Sequence, residues 1–340
     1  MSAIAQASHG SRLSWLDYFR GAAVILMIET HVVNTFLHAD LRAAAWFEWL
    51  DYVNGLVAPS FLFIAGFTQG VRWQGGRGKP LSLGRRGQRL AVIAFIGYAL
   101  HFPSPQLWSG QWAEAIHLGT QIDVLQCLAL SLFVLLLVTW GAQRLARPWR
   151  SGVWWSVLGA LAVAVILASP FLSKWAGGAL PLRAFVNTST GSLFPLFPWA
   201  AFVLCGALCG ALATLPVRAR IGAMTAAMVL GQAIPSASFS AFSPEFFFER
   251  LGWVMLLALL CEWRIRESAT CWVSWAGRES LLMYVGHLTL IFTLVAIGLP
   301  EAELSWAMTL PWIGVVIGLA FAMAFAKARW GEAAEKLVPA

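Results

Sequence analysis

Residues 15–37 read WLDYFRGAAVILMIETHVVNTFL, an apolar run that is interrupted by Asp17, Arg20 and Glu29. A helix that spans a bilayer needs about 20 mostly apolar residues, and this run is long enough. A secretory signal has a shorter apolar core that is followed by a small-residue cleavage site, and this run has neither feature. The segment therefore predicts a retained transmembrane helix with ionisable residues inside it.

Nine further apolar runs follow, so the sequence predicts an all-α, polytopic membrane helix bundle with about ten transmembrane helices. Of the 340 residues, 59% are hydrophobic and 11% are charged, whereas a soluble domain carries about 25% charged residues. The apolar surplus is expected to face lipid, within a single domain that covers residues 1–340. The further runs are 54–71, 90–108, 122–142, 153–172, 194–215, 221–235, 246–263, 280–298 and 305–326.

The basic residues are distributed as the positive-inside rule requires for an even number of spans. Of the 23 Lys and Arg residues, 18 lie on alternate connections between the runs, and segment 72–89 holds six of them without an acid. This asymmetry predicts that both termini are cytoplasmic. The net charge of +7 could suggest nucleic acid, but its placement between apolar blocks indicates the lipid bilayer as the partner instead.

Two side chains of the first run project from one helical face. Arg20 and His31 are eleven residues apart, almost three whole turns, which places them about 16 Å apart along the axis. An imidazole suits general-base catalysis near neutral pH, and a guanidinium suits a phosphate or a carboxylate. Asp17, three residues before Arg20, can pair with it. The alternative is structural: an Asp17–Arg20 pair at the membrane boundary and a packed His31.

Two other histidines are alternative catalytic residues. His38 follows His31 by seven residues and shares its stripe if the helix continues. His287 lies in the ninth run, and a lone helix histidine is more often packed than catalytic. No metal site is expected, because the sequence contains no ligand cluster, and it has no P-loop, GxSxG or HExxH motif either.

Four motifs occur in a fixed order along the chain, and together they resemble bacterial members of the heparan-α-glucosaminide N-acetyltransferase catalytic-domain family. The spacing of Arg20 and His31 also resembles the Arg-x10-His pattern of the related acyltransferase-3 family. The resemblance extends from residue 12 to about residue 290. The motifs are RLSWLDYFRG at 12–21 with His31, APSFLFIAG at 58–66, FPLFPW at 194–199 with Gly206 and Gly210, and GRESLLMYVGH at 277–287.

This resemblance implies transfer of an acyl group, acetyl above all, from a coenzyme A thioester to a sugar amine or hydroxyl across the membrane. It implies a multi-pass protein of the bacterial inner membrane that modifies carbohydrate and uses acyl-CoA as a co-substrate, without a permanent cofactor. His31 becomes the leading catalytic residue, with Arg20 as its companion. In the lysosomal branch, however, the position of His31 resembles Asn and the catalytic His comes later, which leaves His38 open.

Two further groups of residues acquire a role through the resemblance. An acyl-CoA that binds from the cytoplasm would find phosphate partners in Arg72, Arg85, Arg86 and Arg89, which otherwise only determine the topology. The outer connections near Trp46–Asp51 and Trp108–Ile116 are aromatic and acidic, and we expect them to form a mouth for the acceptor; an interfacial aromatic belt is the alternative. The residues expected at this mouth are Trp46, Trp49, Asp51 and Trp112.

Two other classes of function fit the composition. A transporter or flippase of a small solute or a lipid-linked sugar also needs charged residues in its helices, but many transporters contain internal repeats, and none is visible here. A non-catalytic membrane scaffold is disfavoured by the intramembrane Arg, Glu and His residues, because such residues are costly in a bilayer.

Overall fold

The computed structural model describes residues 13–75, 81–234, 240–265 and 271–337. Helices make up 82% of the structure, and the described residues contain no strand, which confirms the all-α prediction. In chain order the α-helices are α1 Ser14–Phe36, α2 Ala45–Asn54, α3 Val57–Gly75, α4 Leu83–Leu100, α5 Ser104–Trp108, α6 Trp112–Gly119, α7 Val124–Arg144, α8 Arg147–Leu172, α9 Leu180–Val186, α10 Leu196–Ala211, α11 Val217–Ala233, α12 Pro244–Arg264, α13 Trp272–Arg278, α14 Ser280–Ala296 and α15 Trp306–Leu337.

Each of the ten predicted apolar runs overlaps one long helix. By length and composition, four described stretches can cross a membrane, and α13 with α14 adds a fifth if that bent pair is one span. The chain is therefore an integral membrane protein. The helix α1 is not in this set, because Asp17, Arg20, Glu29 and His31 make it less apolar, and its membrane crossing stays a prediction. The four stretches are Ala45–Gln74, Val124–Arg144, Arg147–Leu172 and Trp306–Trp330.

One predicted boundary is wrong, whereas the run 280–298 agrees with α14. The run 90–108 is not one helix, because α4 ends at Leu100 and α5 begins at Ser104 after Pro103. Proline lacks an amide hydrogen and disfavours a helical conformation in the residue before it, so a helix readily ends there. The run 280–298 is preceded by α13, and the chain bends by 88° between α13 and α14.

The helices group into two compact units. The first contains the described parts of 58–256, and the second contains the described parts of 13–57 and 257–337. The single domain over residues 1–340 stays a prediction.

In the first unit, α3 and α10 meet backbone to backbone. Gly66 and Gly70 on α3 face Gly206 and Gly210 on α10, and a Cβ atom at Gly66 would lie 1.9 Å from the carbonyl oxygen of Val203. Small residues four positions apart let membrane helices approach this closely. Because lipid provides no hydrophobic driving force between helices, this close packing stabilises their association instead. The APSFLFIAG motif lies in α3, and the FPLFPW motif leads into the first turn of α10.

The centre of the second unit is α1, against which α13, α14 and α15 all pack. It crosses α13 at a second glycine contact: a Cβ atom at Gly21 would lie 1.8 Å from the carbonyl oxygen of Val273. A Cβ atom at Gly277 would lie equally close, 1.8 Å, to the carbonyl oxygen of Asp17. The crossing point is therefore beside the Asp17–Arg20 end of α1.

We predict that Gly21→Ala lowers the melting temperature of the detergent-purified protein. The added methyl group has no space and must push α1 away from α13, and overpacking of this kind costs about 1–3 kcal/mol. The control is Gly87→Ala in α4, where an added Cβ atom meets nothing within 4 Å. That substitution should be neutral or stabilising, because alanine favours a helix over glycine by about 1 kcal/mol. Equal melting temperatures for the two variants would contradict the close crossing.

Candidate active site

The predicted ion pair near the start of α1 forms in the structure. A guanidinium nitrogen of Arg20, Nη1, lies 3.7 Å from Oδ1 of Asp17, whose side chain is buried. A charged group in an apolar environment needs a partner of opposite charge, and this pair satisfies that need within one helix. Arg20 is nevertheless half-buried rather than enclosed.

His31 lies three turns further along the same unbroken helix. Because α1 is continuous from Ser14 to Phe36, Arg20 and His31 keep the common face that the sequence predicted, about 16 Å apart. The imidazole of His31 is half-buried and packs against the imidazole of His287 on α14, with ring centroids 5.2 Å apart and ring planes inclined by 44°. The structure thus brings together one predicted catalytic residue and one of its alternatives.

His287 is fully buried, and its ring is fixed by its own helix. Nδ1 lies 2.8 Å from the carbonyl oxygen of Met283, one turn earlier. A carbonyl oxygen only accepts hydrogen bonds, so Nδ1 must be the protonated nitrogen, and Nε2 of the neutral ring holds a lone pair. Nε2 is buried, and among the described residues it has no hydrogen-bond partner. The core beside His31 therefore contains a hydrogen-bond acceptor, Nε2 of His287, in a ring whose tautomer is fixed.

Because the chain bends at Glu279, the consecutive helices α13 and α14 contact α1 at two different positions along its axis. The helix α13 crosses α1 beside Asp17, whereas α14 carries His287 to His31. The carboxylate of Glu279 accepts a 2.6 Å salt-bridging hydrogen bond from Lys327 on α15. Sequence reasoning missed α13, because its seven residues are too few to stand out as an apolar run.

His38 does not share a helical stripe with His31, because α1 ends at Phe36. It caps a short 3₁₀ helix, Ala39–Ala43, and its Nδ1 accepts a hydrogen bond of 3.2 Å from the amide of Asp40. Its side chain is 46% exposed. The structure therefore gives His38 an open capping position and gives His31 a partly enclosed one.

A second polar contact on α1 was not predicted. Glu29, which points away from the His31 face, is hydrogen-bonded through its side chain to Asn54 at the end of α2 and to Thr30. One oxygen of each partner, Oε2 of Glu29 and Oδ1 of Asn54, is buried without a hydrogen-bond partner among the described residues. In the sequence Asn54 is only the first residue of an apolar run, so nothing there signals this contact.

In the first unit, Asp123 and Gln126 have a capping role at the start of α7. Asp123 caps α7, and Oε1 of Gln126 accepts a hydrogen bond of 3.2 Å from the Asp123 amide. Oδ2 of Asp123 also lies 3.7 Å from Nε2 of His101. Across the residues that the structure describes, no group of three His, Cys, Asp or Glu side chains could hold a metal ion.

The predicted donor-binding arginines lie in the first unit and are exposed. Arg72 belongs to the last turn of α3, and Arg85, Arg86 and Arg89 belong to the first two turns of α4, ahead of the apolar run 90–108. Partial burial, followed by the charges of Arg72 and Arg89, lowers the pKa of the Arg86 guanidinium. The charges of Arg72 on α3 and Arg89 on α4 therefore both act on the Arg86 guanidinium. Arg77 and Lys79, between the two helices, lie outside the described residues.

Three of the four residues predicted at the acceptor mouth lie on α2. Trp46, Trp49 and Asp51 are exposed, and the ring of Trp46 packs 5.1 Å from that of Trp306. The opposite side of α2 is anchored by Phe47, which is buried against α1. Trp112, on α6 in the other unit, is also exposed.

One comparison with known proteins decides the family. Residues 12–237 match the model of the catalytic domain of heparan-alpha-glucosaminide N-acetyltransferase, which covers about two thirds of the chain. The chain belongs to this family. The family resemblance is thereby confirmed, with three of the four motifs inside the matched residues, and membership indicates a membrane acetyltransferase. No curated protein matches the chain.

The matched residues include all of α1, and hence Asp17, Arg20 and His31. His287 lies beyond the end of the match at residue 237. The matched range therefore includes one side of the histidine contact, and the other side lies beyond it.

We predict that His287 is the Nδ1-protonated tautomer. In ¹⁵N-histidine-labelled protein at about pH 8, where an ordinary imidazole is neutral, Nδ1 should show an attached hydrogen and Nε2 should not. His287→Gln assigns the signal by removing it. A ring with the hydrogen on Nε2 would contradict the Met283 hydrogen bond.

Proposed function

We propose that this acetyltransferase moves an acetyl group from acetyl-CoA to the amine or hydroxyl of a sugar across the bacterial inner membrane. The observation that carries the proposal is the family match over residues 12–237, which includes the helical face formed by Arg20 and His31. Acetyl-CoA is a co-substrate in this proposal, so no permanently bound cofactor is needed.

The proposed general base is His31. Its ring takes the proton of the acceptor amine or hydroxyl as the acceptor atom attacks the carbonyl carbon of the thioester. A carbon–nitrogen or carbon–oxygen bond forms, the carbon–sulfur bond breaks, and the coenzyme leaves as the thiol after it has received the proton from His31. The partly enclosed ring of His31 favours this role over the exposed and capping ring of His38.

The proposed donor contacts are guanidinium groups. Coenzyme A carries a pyrophosphate and a 3′-phosphate, and arginine forks match phosphate oxygens better than a lysine ammonium does. Binding of a polyanion would relieve the repulsion that Arg72 and Arg89 exert on Arg86, and Arg85 adds a fourth charge on the same helix as Arg86 and Arg89. Arg20 is proposed to position the donor near the other end of the His31 face.

The proposed acceptor contacts are exposed aromatic rings and a carboxylate. In the second unit, Trp46 and Trp49 on α2 offer apolar faces on which sugar rings stack, and Asp51 offers a hydrogen-bond acceptor. In the first unit, the exposed Trp112 on α6 offers a ring of the same kind. Phe47 anchors α2 to α1 and thereby keeps the first two indoles on a fixed helix.

The proposed topology has all ten long helices crossing the membrane and both termini in the cytoplasm. The helices that are not apolar enough by composition alone, such as α1, hold their ionisable groups in the contacts described above. Protein contacts of this kind make polar residues tolerable at membrane depth.

Transport is the second candidate, and one observation favours it: the 88° break between α13 and α14 resembles the discontinuous helices of secondary transporters. The family match favours acetyl transfer. Uptake of a sugar into vesicles without any acetylation would reverse this choice.

We predict that the purified protein transfers radiolabelled acetyl from acetyl-CoA to at least one member of a panel of amino sugars. His31→Ala should lower kcat/KM by about 10²–10⁴-fold, because it removes the general base. Monodispersity and melting temperature of the variant serve as the folding check. His38→Ala is the matched comparison and should stay close to the parent protein. A folded His31→Ala protein with normal transfer, beside an inactive His38→Ala protein, would move the base to His38.

We predict that Arg86→Ala raises the KM for acetyl-CoA several-fold and leaves kcat nearly unchanged, because it removes ground-state binding. The effect should shrink with added salt, which screens the phosphate contacts. Arg218→Ala, another exposed arginine in the first unit, is the control and should leave the KM unchanged. Equal KM values for the two variants would contradict donor binding by the α3 and α4 arginines. Their role would then be to determine the membrane topology alone.

We predict that a cysteine at Ser82, in a cysteine-free background, is labelled by an impermeant maleimide only after cells are opened. A cysteine at Ser109, between α5 and α6, should be labelled in intact cells. Both positions are exposed, so accessibility in the fold does not decide the result. Labelling of position 82 in intact cells would overturn the proposed orientation.

A further inference from the structure

The starting observation is the Nε2 atom of His287, a buried acceptor without a donor among the described residues. Buried polar atoms are almost always hydrogen-bonded, because burial removes them from water. The other ring nitrogen of His287 already donates to Met283, so this ring cannot rotate to satisfy Nε2 without losing that bond. The lone pair is therefore held in place, and it lies in the ring that packs against His31.

The distance between the two rings fits a direct hydrogen bond. An N–H···N bond of about 3 Å joins two imidazoles whose centroids are then about 5 Å apart, since each nitrogen lies roughly 1 Å from its ring centre. The observed separation is 5.2 Å, with the planes inclined by 44°. The separation of the two rings is therefore the one that an N–H···N bond between them requires.

We propose that His287 is a positioning residue of the active site, whose Nε2 accepts a hydrogen bond from His31 and thereby fixes the His31 tautomer. This inference rests on the proposed function of His31 as the general base. With one nitrogen of His31 donating to His287, the other must carry the lone pair that takes the proton of the acceptor. A base held by a third group in this way is the logic of catalytic triads, with a neutral imidazole in place of the usual carboxylate.

The proton balance is simple. His31 gains one proton from the acceptor, becomes an imidazolium, and gives that proton to the departing sulfur of coenzyme A. His287 keeps its hydrogen on Nδ1 and remains neutral throughout, because a second positive charge at this distance from the imidazolium would be repelled. His287 acts only through His31, and the family match, which ends at residue 237, assigns it no role.

The test compares two substitutions of His287 that differ in one property. His287→Gln keeps an acceptor oxygen near the position of Nε2, whereas His287→Leu has a similar volume and no acceptor. We expect His287→Leu to lower kcat on the order of 10–100-fold with unchanged KM for acetyl-CoA, and His287→Gln to recover most of that loss. Thr289→Val, on the exposed side of the same helix, is the control and should retain the parental kcat.

A double-mutant cycle separates positioning from an independent role. Because His287 works through His31, the double variant His31→Ala/His287→Leu should be no slower than His31→Ala alone. A double variant that is much slower would overturn the inference, and so would parental kcat values for both His287→Leu and His287→Gln. In either case the proposed function stands as long as His31→Ala is inactive.

A spectroscopic measurement covers the remaining outcomes. In ring-¹⁵N-labelled protein with coenzyme A bound, a coupling between a His31 nitrogen and Nε2 of His287 should be visible and should vanish in His287→Gln. If His287→Leu does not fold, this coupling and the His287→Gln kinetics decide the matter, and absence of the coupling overturns the inference. If the parent protein transfers no acetyl group, the proposed function fails, and the coupling alone shows whether the two histidines are joined.

Discussion

The contact between the backbones of α1 and α13 is the constraint on which the second unit depends. The carbonyl oxygens of Val273 and Asp17 lie within 1.8 Å of the places where Cβ atoms of Gly21 and Gly277 would be, so only glycine fits at either position. Lipid offers no hydrophobic drive for two apolar helices to associate, and close packing must supply the attraction instead. Once this crossing is made, the bend after α13 determines where α14 runs, and with it the position of His287.

The polar side chains of α1 show how an apolar helix holds ionisable groups. Asp17 and Arg20 neutralise each other within one turn, Glu29 bonds to Asn54, and His31 packs on the ring of His287. The first contact is local, whereas the other two require a second segment of the chain. Each ionisable group therefore has a contact within its unit, and this is the condition under which such a helix is tolerated in a bilayer.

The two kinds of chemistry proposed for this acetyltransferase have different physical settings. Recognition of the donor phosphates is assigned to exposed guanidinium groups in the first unit, where water and salt screen their repulsion. Proton transfer is assigned to His31, whose partly enclosed ring faces a fully buried and tautomer-fixed neighbour. Exposed guanidinium groups can bind a polyanion that arrives from water. A partly enclosed imidazole can keep the fixed orientation that a general base needs.

The sequence by itself determined the helical class, the ten long apolar segments, the family, and the common face of Arg20 and His31. The helical class depends on composition, the apolar segments and the family motifs depend on the order of neighbouring residues, and the common face depends on the period of one continuous helix. Each of these features is therefore visible in a short stretch of sequence. Where α1 ends, and hence that His38 lies off the His31 stripe, was decided by the turn after Phe36 and the pairing of Leu37 with Leu304. Only the tertiary structure brought His287 to His31, because their contact joins residues more than 250 positions apart through a glycine crossing and an 88° bend, and no local pattern encodes such a contact.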